Sequence, residues 1–198
     1  MSDIIHYGDF KPTGKQRKKK QIILTHTGRN IENYLMSLKY RYNGKYDKIP
    51  NYIVDREGKI LKLLNDNEHT KNFSNENVNR NSIVVCLENL GWVERRSLKN
   101  YHINWIGDIY KERVYEKKWR DYFFWQPYTE IQLKQTAELC KELTKKLSIK
   151  KECIGHNTKV SGVEKYEGIV TKSNFYSDTT DVSPAFNFGE FIKYLENE

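Results

Sequence analysis

The run Ser82-Ile83-Val84-Val85-Cys86-Leu87 constrains the fold more than any other stretch of the chain. It is β-branched and almost wholly apolar, so it predicts a central strand covered on both faces, the setting of sheets flanked by helices. Gln21-Ile22-Ile23-Leu24-Thr25-His26 is a second apolar run of strand length, entering a Thr-Gly turn. Residues 51–55 and 59–64 flank Arg56-Glu57-Gly58 and predict a hairpin whose turn uses a positive φ at Gly58. Helical spacing supplies the other layer. Asn30 can cap a helix in which Ile31, Leu35, Leu38 and Tyr42 recur, stopped by Asn43-Gly44. Thr129-Glu130-Ile131-Gln132 has a capping-box pattern, followed by one apolar face of Leu133, Ala137, Cys140, Leu143 and Leu147. Ile149–Ile154 returns as a strand ending at Gly155-His156, a polar loop spans 157–180, and Asn187 with Glu190 can cap a last helix. Strands alternating with helices predict an α/β fold, a single mixed β-sheet flanked by helices.

The 198 residues suffice for one domain. Residues 92–127 interleave Trp92, Tyr101, Trp105, Trp119 and Trp125 with charges and have no clear period. They predict an aromatic-rich insertion over the core, its rings packing or stacking on sugars or bases. Lys and Arg number 34 against 26 Asp and Glu, a net charge of +8, which admits nucleic acid, anionic wall polymers or acidic membranes as partners. Part of that charge forms a basic N-terminal arm over residues 1–20, ahead of a domain at 21–198. No apolar run is long enough for a membrane span. The first twenty residues lack the apolar stretch of a signal peptide. Cys86, Cys140 and Cys153 cannot all pair and form no CxxC, so a reducing compartment is expected.

Of five histidines, His26 and His156 lie at the ends of predicted core strands, where open α/β sheets place their sites. Either can be an ordinary hydrogen-bonded histidine. As a pair they can bind a metal, but only if the fold assembles the site, because their separation is far from that of a compact zinc motif. Asp181, before the turn fixed by Pro184, can be a third ligand or a turn residue.

The order of these segments is informative. Leu24-Thr25-His26-Thr27, the hairpin at 52–60, Asn81–Val85, Cys153-Ile154-Gly155-His156-Asn157 and Asp181-Val182-Ser183-Pro184-Ala185-Phe186 follow one another. This order resembles the zinc-dependent N-acetylmuramoyl-L-alanine amidases, which include phage lysozyme-type amidases and peptidoglycan recognition proteins, with phage-encoded members most similar. The resemblance runs over about residues 21–195 and implies the fold of those proteins. It implies Zn2+ held by His26, His156 and Asp181, with a fourth position open for a hydrolytic water. The substrate it implies is peptidoglycan or muropeptide, cut at the amide between N-acetylmuramic acid and L-alanine.

The helper positions are less regular. Thr179, two residues before the third ligand, corresponds to the group that stabilises the oxyanion. Cys86 and Pro50 stand where relatives carry a Glu or a Tyr base. Glu88 points the same way as Cys86 on a strand and is the expected general base. Cys86, Asn51 and His69 are expected to line the substrate site. A monomer is expected, made in the cytoplasm and acting on the wall after release or as part of a virion. The departures at Cys86 and Pro50 motivate an alternative, a catalytically impaired peptidoglycan-binding module. A nucleic-acid binder using the basic arm is disfavoured, since no RNP-like or helix-turn-helix pattern is present.

Overall fold

A computed structural model describes residues 4–8, 10–96 and 100–197. The start of the predicted arm, residues 1–3, and residues 97–99 of the predicted insertion lie outside the described residues. Its strands are β1 (Ile4–His6), β2 (Gly14–Lys15), β3 (Gln21–His26), β4 (Tyr52–Val54), β5 (Ile60–Lys62), β6 (Glu68–His69), β7 (Ser82–Leu87), β8 (Trp92–Arg95), β9 (His102–Ile103), β10 (Ile109–Tyr110), β11 (Tyr115–Trp119), β12 (Tyr122–Trp125) and β13 (Gly168–Thr171). The α-helices are α1 (Ile31–Tyr40), α2 (Glu76–Asn81), α3 (Glu130–Leu147), α4 (Lys172–Phe175) and α5 (Phe188–Glu196). None is long and apolar enough to cross a membrane.

Six strands form the main sheet in the order β1-β5-β4-β7-β3-β13. β7 is buried along its whole length and pairs in parallel with β3 from Gln21↔Ser82 to His26↔Leu87. Alternation along β3 divides the core. Ile22 and Leu24 face Leu133, Ala137, Cys140 and Leu143 of α3 and Phe191 and Leu195 of α5, while Ile23 packs on the opposite face with Phe73 and Val78. Leu38 of α1 closes that second face over Ile53 and Cys86. The predicted caps are present: Asn30 accepts from Asn33 N, Thr129 from Gln132 N and Asn187 from Glu190 N. Gly58 has φ 82° in the β4–β5 turn. A Cβ there would lie 2.9 Å from side-chain atoms of Ile131 and Gln135, so the position demands glycine both by conformation and by space.

Three expectations are corrected. The basic segment is no free arm: β1 adds an edge strand beside β5, β2 pairs with β6, and Lys19 is buried, donating to the carbonyls of Arg80 at 2.9 Å and Glu68 at 3.4 Å. Burial drops the Lys19 ammonium to about 8, against the attraction of Asp66. Residues 149–154 make no strand. They reach only an isolated bridge, Cys153↔Ile169. The expected loop at 157–180 instead contains β13 and α4, and β13 pairs with β3 from Gly168↔Gln21 to Thr171↔Leu24. β13 thus lies between β3 and the 152–154 segment. A Cβ at Gly168 would lie 2.5 Å from the Glu152 carbonyl, so this close approach needs glycine.

Strands β8–β12 of the segment expected as an insertion form a second, five-stranded antiparallel sheet, β10-β9-β8-β12-β11. A small cluster of Leu90, Val93 and Tyr110 underlies it. Its β9–β10 turn reaches back to the start of α1, where Asp108 accepts from Asn30 N at 3.2 Å and from Asn33 Nδ2 at 2.8 Å.

Candidate functional site

A cleft of about 280 Å3 opens where β3 and β13 end, beside α1, at the carboxyl ends of parallel strands where α/β sheets hold ligands. Its polar centre is Asp181. Thr25, at the end of β3, donates its hydroxyl to Asp181 Oδ2. Lys172 follows β13 directly, level with Thr25 in the register, and donates from Nζ to the same oxygen at 3.3 Å. Ser173 fixes the Asp181 backbone, its N and Oγ each donating to the Asp181 carbonyl at 2.7 Å. Burial alone would raise the Asp181 carboxyl, but the Lys172 ammonium and the Thr25 hydroxyl hold it below the ordinary carboxylate range. Asp181 in turn raises the Lys172 ammonium against the pull of burial. At neutral pH the pair is fully ionised.

His26 also lines the cleft, but alternation turns it to the face opposite Thr25. Its Nδ1 meets Tyr128 Oη at 3.0 Å, and that hydroxyl accepts from Ser183 N at 3.3 Å. Nε2 faces Gly91, where a Cβ would lie 3.0 Å away. Burial lowers the His26 pKa, Asp181 opposing and Lys172 adding to it, so the ring is neutral.

The expected zinc triad is not assembled. His26 and Asp181 share the cleft, but β13 separates His156 from β3. His156 is exposed, and its Nδ1 accepts from the Thr158 hydroxyl at 2.8 Å. Among the described residues no three His, Cys, Asp or Glu side chains are grouped to hold a metal. Among the described residues the groups bonded to the Asp181 carboxylate are the Thr25 hydroxyl and the Lys172 ammonium, and an ammonium has no lone pair to give. These residues do not fit a zinc ion.

The helper residues are corrected as well. The Glu88 carboxylate is committed to backbone: Oε1 accepts from Ile31 N at 2.8 Å and Oε2 from Arg56 N at 3.1 Å, tying the start of α1 to the hairpin turn. Glu88→Gln is expected to lose about 2 kcal/mol of stability, read as a lower urea midpoint at unchanged m, and to leave binding at the cleft intact. Asn51 is buried and structural, accepting from Val84 N and donating to the carbonyls of Asn65 and Glu68. His69 is buried in β6 beside Glu76, at 3.3 Å. Cys86 is fully buried beneath Tyr34, its thiol pushed up to about 12 by burial, so it neither touches the cleft nor supplies a thiolate. Thr180 lines the cleft where Thr179 was expected; the Thr179 hydroxyl is buried without a hydrogen-bond partner among the described residues.

Nothing local in the sequence marks Lys172, Tyr128 or the basic rim as parts of a site. Arg29, Arg41 and Lys48 line the cleft with Lys172. Trp105, from the insertion, is 53% exposed at its edge. Its indole N–H donates to the Gly28 carbonyl at 2.9 Å, and the Arg29 guanidinium lies 4.9 Å from the ring centre.

No curated protein sequence matches the chain. Among solved structures it is similar to the N-acetylmuramoyl-L-alanine amidase LysC from Clostridium intestinale URNW, at 12% identity over all of both chains with a TM-score of 0.56. It is similar to AmiD from E. coli, solved with the substrate anhydro-N-acetylmuramic acid-L-Ala-D-gamma-Glu-L-Lys, at 16% identity over 92% of this chain and 59% of that one, TM-score 0.53. The ectodomain complex of peptidoglycan recognition proteins LCa and LCx, bound to tracheal cytotoxin, is 12% identical over 94% and 92%, TM-score 0.55. At such identities the likeness establishes the fold, the sheet and helices shared by amidases and peptidoglycan recognition proteins. Sequence adds the family, since residues 15–171 match that of N-acetylmuramoyl-L-alanine amidase, and with most of its length inside that match this chain belongs to it.

Proposed function

We propose that the chain acts on peptidoglycan as an N-acetylmuramoyl-L-alanine amidase, at the amide joining N-acetylmuramic acid to L-alanine. The observation that carries this reading is the ionised Lys172–Asp181 pair in an open cleft at the strand ends of a family member. α1 borders the cleft for about 15 Å. Trp105 stands at the end where α1 begins, and Arg41 lies just past the other end. A sugar ring stacks on the indole face, and the carboxylates of a stem peptide meet Arg41 and Lys48. Between them Lys172 Nζ donates to the amide carbonyl, and the free oxygen of Asp181 accepts from water or from the amide N–H. The cellular role that goes with this reading is phage-type wall lysis, with the protein made in the cytoplasm and reaching the wall on release or in a virion. The solved structures similar to it include a bacteriophage endolysin.

A second reading, recognition of the same junction without turnover, is favoured by the state of Asp181. A carboxylate held below its ordinary pKa is a weak base, and Asp181 Oδ2 is already bonded to both Thr25 and Lys172. One experiment tests both. The protein is incubated with purified sacculi, and pelleted protein and newly released L-alanine amino termini are measured. Release supports the amidase, pelleting without release supports recognition, and neither overturns both.

A further inference from the structure

We propose that the Lys172 ammonium is the resident cation of this cleft, standing at Asp181 in the position a divalent ion would need. The cleft therefore engages its ligand without a metal. The statement about the ion stands on the geometry of the site, and the statement about the ligand rests on the proposed function.

Four observations carry it. First, among the described residues the only charge-bearing donor on Asp181 Oδ2 is Nζ of Lys172, at 3.3 Å, and the Thr25 hydroxyl bonds the same oxygen. An ion at that oxygen would have to displace a hydrogen-bonded ammonium and bear its repulsion. Second, the sheet itself delivers Lys172. β13 is inserted between β3 and the segment leading to His156, so the chain that leaves the neighbouring strand beside Thr25 presents a lysine, while the histidine is carried outward to solvent. Third, both edges of the His26 ring are already engaged, Nδ1 by Tyr128 Oη at 3.0 Å and Nε2 by the backbone at Gly91, where a Cβ would lie 3.0 Å away. Fourth, Lys172 keeps 32% of its side chain exposed and lines the cleft. Its remaining N–H groups can therefore reach a ligand carbonyl or carboxylate. A fixed ammonium supplies one positive charge that no chelator removes.

The test uses the full chain. Bound zinc is measured by mass spectrometry after equilibration with zinc chloride and dialysis, and binding to purified sacculi is measured by cosedimentation in zinc and in EDTA. The expected results are no stoichiometric zinc and the same cosedimentation in both buffers. Lys172→Met is expected to weaken sacculus binding about tenfold, the order of one charge-assisted hydrogen bond, and Lys172→Arg to retain it. Should Lys172→Met not fold, the zinc measurement on the wild type still decides. One zinc per chain, lost in Asp181→Asn, overturns the proposal, and so does cosedimentation abolished by EDTA. No zinc together with no cosedimentation leaves the resident cation standing and removes the proposed function.

Discussion

Asp181→Asn is expected to lower the unfolding free energy by about 3 kcal/mol and to abolish function at the cleft. The change is nearly isosteric, and Ser173 still holds the backbone carbonyl of residue 181, so the local fold survives. What disappears is the charge opposite Lys172. Removing one partner of a buried pair costs about 3–5 kcal/mol, because the other charge is left uncompensated. The lower end applies here, since a third of the Lys172 side chain meets solvent. For a chain of this length about 3 kcal/mol corresponds to a fall of roughly 6–12 °C in Tm. The pH dependence identifies the cause. The Asp181 carboxyl lies below its ordinary 3.8 in the folded protein, so its contribution is present above that pH and lost as the pH falls further. The Lys172 ammonium lies above its ordinary 10.5, so its contribution is present below that pH and lost at more alkaline values. The stability difference between wild type and variant is therefore flat from about pH 5 to pH 10 and closes on the acid side. Chemical denaturation across that range measures it. A difference that persists undiminished at pH 2 would locate the loss in packing instead of charge.

Legibility followed the range of the interactions involved. α3 could be read because its apolar positions recur every three or four residues and Thr129 caps it, all within one stretch of chain. β3 and β7 could be read because full burial forces an unbroken apolar run. Asp181 stood out through its turn and the following Phe186, which is buried in the α3–α5 core. β13 could not be read, because Gly168-Ile169-Val170-Thr171 is a four-residue run in polar surroundings and becomes a strand only by pairing with β3, nearly 150 residues earlier. That one strand decides the site. It lies between β3 and the segment leading to His156 and puts Lys172 level with Thr25, a change of chemistry that no local spacing records. Glu88 and Asn51 failed for a related reason. Each is a polar residue next to a core strand, suited to catalysis by type, yet each is consumed by backbone groups that only the tertiary fold brings near.

Trp125→Ala is expected to cost about 3–5 kcal/mol, the range for truncating a large buried aromatic ring, and to take sacculus binding with it. Trp125 is fully buried at the base of the insertion. Its indole donates to the Lys117 carbonyl at 2.8 Å, and its ring packs on Trp119 at 5.5 Å and Tyr122 at 5.9 Å. The cluster beneath the small sheet is too modest to absorb such a void. Loss therefore propagates along β12 and β8 to the β9–β10 turn that bears Asn104, Trp105 and Asp108. That turn bonds Gly28 through Asn104 Nδ2 at 3.0 Å and Trp105 Nε1 at 2.9 Å, and Asp108 steadies the first turn of α1. Melting the insertion thus removes the aromatic rim of the cleft and loosens the helix beside it. Trp105→Ala separates the two effects, because the ring is half exposed. It should weaken cosedimentation with sacculi about tenfold while Tm barely moves, whereas Trp125→Ala lowers both. Thermal unfolding and cosedimentation of the two variants decide the matter. If Trp105→Ala binds sacculi like the wild type, the insertion braces the domain and takes no part in holding the glycan.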